Sequence, residues 1–150
     1  MPFARTLPSS LPRRFAGARH AVARTTAGSF ELILAERFAL RLRGLARLEA
    51  DQMPPLLFPR CRSLHTYWMA APIAVAWLDL TLEGERGHAQ LLRLDESVGS
   101  RRTLRAPGAL GREAKRRVAA LELPSVQGLL DPSSPTLELT LVGDSRRPGR

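Results

Sequence analysis

The chain is poor in cysteine, lysine, aromatics and long apolar runs. Its 150 residues include one Cys, one Tyr, two Trp and five Phe, so aromatics make up only 5%. A lone Cys61 excludes an internal disulfide and is too few for a structural zinc site. No apolar run reaches the roughly 18 residues that cross a bilayer, so no transmembrane helix is expected. The N-terminus lacks the continuous apolar stretch of a secretory signal, and the expected location is cytoplasmic. With few aromatics, Leu, Val and Ala must fill the core. There is no internal repeat.

Positive charge is abundant but unevenly spread. The cations are 22 Arg and one Lys, a bias that reads as coding preference more than guanidinium chemistry. Residues 1–30 carry Arg5, Arg13, Arg14, Arg19 and Arg24 and no acid. Residues 31–142 hold 15 basic and 13 acidic residues, a net of +2 against +9 for the whole chain. The surplus therefore belongs to the ends, and a phosphate-tracking face is not expected beyond Arg112, Lys115, Arg116 and Arg117. Nucleic acid is an unlikely partner on this reading, apart from non-specific contacts through the tails.

Three regions follow: a disordered basic bacterial tail over 1–27, one β-rich domain over 28–142, and a flexible basic tail over 143–150. Phe30 to Leu34 reads as a strand. Ala35 to Arg43 reads as a helix that packs through Leu34, Phe38, Leu42 and Leu45 and is ended by Gly44. Leu56 to Phe58 is a short buried strand stopped by Pro59. Ile73 to Leu82 is the strongest strand, apolar on both faces early and alternating late. His88 to Leu94 returns to make a hairpin. Arg101 to Arg105 is a weak strand, Arg116 to Leu123 another, Ser125 to Leu130 a helical turn, and Leu137 to Leu141 a closing strand. The expectation is a mainly β (α+β) monomer, a small barrel-like or sandwich domain with one short helix near its start.

The segment Leu56 to Leu82 concentrates the unusual side chains: Cys61, His65, Tyr67, Trp68, Met69 and Trp77. Cys61, His65 and Met69 fall at spacings of four, on one face of a strand and nearly so of a helix. Thiolate, imidazole and thioether suit a soft ion, but all three types also fill cores or cap turns. Cys61 with His65 as base would form a nucleophilic dyad, without an orienting group or a glycine-rich oxyanion loop. Asp79, Glu83, Asp95 and Glu96 read as solvated carboxylates, with no local spacing that enforces a pair. Gly108 and Gly111 beside Arg112 lack the Gly-Lys-Ser/Thr of a phosphate loop, and Gly111 to Arg117 reads as solvated turn and strand edge. No cofactor is expected. The function expected is non-catalytic binding of a small ligand or a protein through His65, Thr66, Tyr67, Trp68 and Met69. Tyr67 and Trp68 would give apolar contact area, His65 and Thr66 directional hydrogen bonds. The alternative is a soft-metal protein or a small hydrolase using Cys61, His65 and Met69.

The order of short motifs resembles the family catalogued as domain of unknown function 192 (DUF192). Gly44-Leu45 with Arg47, Leu56-Leu57-Phe58-Pro59 with Cys61, His65-Thr66-Tyr67-Trp68-Met69, Pro72-Ile73 and Ala120-Leu121-Glu122-Leu123-Pro124 carry the resemblance over roughly 29–142. It implies a compact, mostly β fold and no known activity. Two positions depart from the family pattern. Ala74 stands where the family has Asp after Pro-Ile. Ser125-Val126-Gln127 replaces the expected small-residue turn, with Gly128 displaced.

Overall fold

Alternation of small and large apolar residues along the strands closes a sheet on itself. The computed structural model describes residues 3–8, 10–108, 111–124, 130 and 133–142. Ten strands run in chain order: β1 (Phe3–Arg5), β2 (His20–Thr25), β3 (Gly28–Leu34), β4 (Leu56–Phe58), β5 (Ser63–His65), β6 (Ile73–Glu83), β7 (Arg86–Val98), β8 (Thr103–Arg105), β9 (Val118–Leu123) and β10 (Thr136–Val142). Two short helices interrupt them, α1 (Phe38–Arg43) and α2 (Arg112–Arg117).

Seven strands form a closed barrel in the order β3-β2-β10-β7-β6-β9-β4, and β4 returns to β3. The closing seam is parallel and short, pairing Ile33 with Leu56 and Leu34 with Leu57. β1 lies outside the ring, parallel to the first half of β3. β5 and β8 form a separate two-stranded sheet. The longest hairpin, β6–β7, turns at Gly84, whose φ of +61° suits the tight hairpin turn.

Two cores result, one on each side of the same barrel wall. Inside, Ala21, Ala23, Ala74, Ala76 and Ala119 interleave with leucines from every barrel strand but β2. Small residues are needed there because a seven-stranded interior has room only for alternating sizes. Outside, a second cluster joins Ile33, Leu56, Val75, Trp77 and Ala120 to Phe15, Leu40 and Leu45. The second cluster explains why Ile73 to Leu78 is apolar on both faces. Trp77 is fully sealed in it, with its indole N–H donated to Asp95 at 3.2 Å.

Several expectations are corrected. The stretch expected as a tail over 1–27 contains a barrel strand: β2 sits between β3 and β10 in the ring. Ala21 and Ala23 are its inward face, too small to stand out as a hydrophobic pattern against arginines. Its neighbour Arg19 is held by Glu36 through two hydrogen bonds of 2.8 and 2.7 Å. The predicted helix face holds only at its ends. Leu34 and Leu45 are buried as expected, but within α1 the buried residue is Leu40, whereas Phe38 is 80% and Leu42 58% exposed. A helix of six residues has too few turns for 4-4-3 spacing to choose a face, and the loop after Gly44 brings Leu45 inward instead. Residues 112–117 are helical rather than turn and strand, so the strand expected from Arg116 begins at Val118 and the described residues hold two α-helices. The helical turn expected over Ser125 to Leu130, apart from Leu130, and the tail expected over 143–150 fall outside the described residues.

Candidate functional site

A cleft opens between α1 and the segment running from β5 to Met69, directly over the outer core. Its volume is about 510 Å³. One wall is α1 and the turn after it, contributing Phe38, Leu42 and Arg43. The other wall is His65, Tyr67, Trp68 and Met69. Phe58, Cys61 and Glu122 form the floor.

The walls are braced by backbone hydrogen bonds. Arg14 reaches from the N-terminal arm to the carbonyls of Gly44 at 3.0 Å and Ala46 at 2.8 Å. Burial and the nearby charge of Arg43 hold its guanidinium below its ordinary pKa. Arg41 bridges α1 to the opposite loop through the carbonyl of Pro59 at 2.8 Å. Cys61 N–H donates to Val118 at 2.8 Å, fixing the floor to β9. These arginines carry cationic charge into the wall while their donors are spent on the fold.

The aromatic rim is set by two backbones that meet. Arg47 and Trp68 both have a φ of +62°, unusual for side chains of their size. Arg47 N–H donates to the Trp68 carbonyl at 2.8 Å, locking the two left-handed residues together. The indole is thereby turned outward, 65% exposed, with the Arg47 guanidinium 5.8 Å from its ring centre. Tyr67, 44% exposed, stands 5.9 Å from Trp68 and 5.4 Å from His65, centroid to centroid. With Phe38 and Leu42 across the opening, the mouth is lined by large apolar groups that the fold itself leaves uncovered.

Of the five residues expected to bind, four line the cleft and Thr66 does not. Thr66 is fully buried. Its hydroxyl donates to Gly99 at 2.6 Å and accepts from the N–H of Arg102 at 3.0 Å, tying the rim to the loop before β8. In a strand-to-turn segment its side chain points opposite to those of its two neighbours, so it is structural.

The soft-metal and nucleophile readings lose their thiolate. Cys61 is buried and donates to the Ser63 carbonyl at 3.2 Å. Burial pushes its thiol pKa up, and a neutral thiol is a poor ligand and a poor nucleophile. His65 is exposed, with its ring tilted at 44° against that of Tyr67 instead. Among the described residues no group of three His, Cys, Asp or Glu side chains gathers to hold a metal ion. Asp79 is held by Arg117 at 2.8 and 3.2 Å, away from the other carboxylates singled out.

Glu122 is the residue that pattern reading missed as a site. It occupies an outward position of β9, between Ala120 in the outer core and Leu123 in the inner one. Only 3% of it is exposed, and its Oε1 has no protein partner. Loss of hydration raises its pKa from 4.5 to about 8, so the carboxyl is largely neutral at pH 7. Gly44 makes room for it: a Cβ there would come within 3.0 Å of Oε1. The signal was a single acid inside an otherwise unbroken apolar strand, Val118 to Leu123.

A second concavity lies near α2. Arg60 and Arg62 join Arg112, Lys115 and Arg116 around it, so five cations gather on one face. The sequence grouping had Arg117 in this set, but Arg117 turns to Asp79. Comparison with known proteins gives no matching family model and no matching curated protein. No helix among the described residues is long and apolar enough to cross a membrane.

Proposed function

We propose that this protein is a non-catalytic binding module whose cleft, rimmed by Tyr67 and Trp68, captures a small molecule with an apolar, planar body. The supporting observation is the outward indole of Trp68 at a φ of +62°. Holding an aromatic residue there costs about 1–3 kcal/mol, and the ring gains little burial within the fold in return. Strain of that kind persists where the surrounding structure enforces it, and such positions cluster at ligand clamps. A cleft of about 510 Å³ lies within the range of small-molecule sites. Protein capture would use the same rim, but the concavity and the polar group at its base favour a small ligand. Membership of the DUF192 family belongs to the same proposal, on the motifs from Gly44 to Pro124.

The test is fluorescence of Trp68 during titration with a set of small aromatic acids, amides and amines. Trp77 is sealed, so iodide quenching isolates the exposed indole. A saturable change at Trp68, with the calorimetric heat of binding lost in Trp68→Ala and circular dichroism unchanged, is the expected outcome. Saturation that survives in Trp68→Ala would refute the proposed rim. Trp68→Ala should cost under about 1 kcal/mol of stability, because little apolar area leaves the core.

A further inference from the structure

This inference rests on the binding reading above and concerns the chemistry of the occupant. Three observations bear on it. Glu122 reaches the cleft floor with a buried oxygen that no protein group satisfies. Buried polar atoms are almost always paired, so an orphan at the base of a concavity marks where a ligand's polar atom belongs. Second, Glu122 is the only acidic residue lining the cleft, against four arginines. The potential at the mouth is therefore positive, which draws anions and repels amines. Third, the arginines do not answer Glu122. Arg14 and Arg41 are engaged with backbone carbonyls, and Arg47 lies over Trp68.

We infer that the cleft takes small aromatic carboxylates, with a ligand oxygen accepting a hydrogen bond from the Glu122 carboxyl while the ring lies against Tyr67 and Trp68. A neutral acid is the donor such an oxygen needs, and the guanidiniums around the opening balance the ligand's charge without pairing with Glu122. An amine would have to enter a positive mouth and meet a group with little charge to offer it. The missing side chain at Gly44 leaves room beside the carboxyl, since a Cβ there would lie 3.0 Å from Oε1.

The inference has a signed pH dependence. Glu122 must hold its proton to donate, and its pKa is raised to about 8. The groups facing it are Arg14 from the arm, Arg41 and Arg43 from α1, and Arg47 from the following turn, which stay cationic. On the opposite side Cys61, His65 and Tyr67 can also titrate, so a substitution at Glu122 is needed to assign the effect. Carboxylate affinity should be constant well below the Glu122 pKa and fall about tenfold by one pH unit above it.

The experiment is calorimetric titration of the full chain with cinnamate and, separately, with cinnamylamine, which share one planar body. Cinnamate should bind near neutral pH, with the stated loss at alkaline pH, and cinnamylamine should not. Glu122→Gln keeps a donor in the same shape, so it should retain cinnamate binding and abolish the pH dependence. Glu122→Leu should weaken cinnamate at least about tenfold, the value of one charge-assisted hydrogen bond. Amine binding that strengthens as Glu122 ionises would overturn the carboxylate inference, yet leave the aromatic cleft standing if Trp68→Ala removes it. Cinnamate binding with an unaltered pH profile in Glu122→Gln would also overturn it. Binding of neither probe sinks the inference alone, since the wider fragment set decides whether the cleft binds anything.

Discussion

At the residue scale, the informative positions are those where a side chain disagrees with its surroundings. Glu122 is an acid in an apolar strand, and its cost should be visible without any ligand. Its folded pKa of about 8 exceeds the ordinary 4.5, so the native state holds a proton that the unfolded chain releases between those values. Stability from this group is therefore full below about pH 4.5 and declines as pH rises toward 8. Thermal melts across this range should show wild type losing ground relative to Glu122→Gln as pH increases. Parallel pH profiles for the two proteins would mean that Glu122 is not buried as a neutral acid. Much of the rim was legible in the string His65 to Met69, because two adjacent aromatics in a Pro-flanked stretch are rarely both core. Thr66 was misread since nothing local shows that its hydroxyl meets Gly99 and Arg102, more than thirty residues on. Glu122 was visible only as part of a motif, because burial by α1 and the arm comes from distant sequence.

At the element scale, α1 and the turn after it decide whether the cleft exists. Gly44 ends the helix at a φ of +51° and a ψ of −130°, a region open to glycine and closed to other residues. Its amide still donates to Leu40 at 2.8 Å, so the reversal is built into the helix end. Gly44→Ala would meet both this backbone and Glu122, and should cost about 1–3 kcal/mol in chemical denaturation. A change below about half a kcal/mol would show that the turn relaxes freely. The strands with strong alternation were legible: β6 and β10 follow their patterns closely, down to the buried Leu137, Leu139 and Leu141. Those that failed had alanine in place of leucine, as in β2, or were too short to carry a period, as in β5 and α1. A face cannot be read from six residues when the partner that buries it is an arm from elsewhere in the chain.

At the scale of the whole molecule, the placement of the cations and the role of the N-terminal segment were misjudged from composition. Counting by sequence region put the cations at the ends, yet folding brings Arg60 and Arg62 beside α2. The N-terminal segment looked expendable and is a wall of the barrel. Deleting residues 1–27 should therefore abolish cooperative thermal unfolding and produce aggregates in size-exclusion chromatography, because β3 and β10 would each present a bare edge. A sharp melt from the truncated chain would show that the remaining strands close without β2. The barrel was still predictable as a class, since many short strands with few charges inside favour a closed sheet over an open one. One property of this ring concerns its birth. β2 bonds along its length to β10, whose residues 136–142 are the last strand described. During translation β2 can pair with β3 at once, but its other edge stays open until more than a hundred further residues have left the ribosome. Such a nascent chain is a natural client for a holding chaperone.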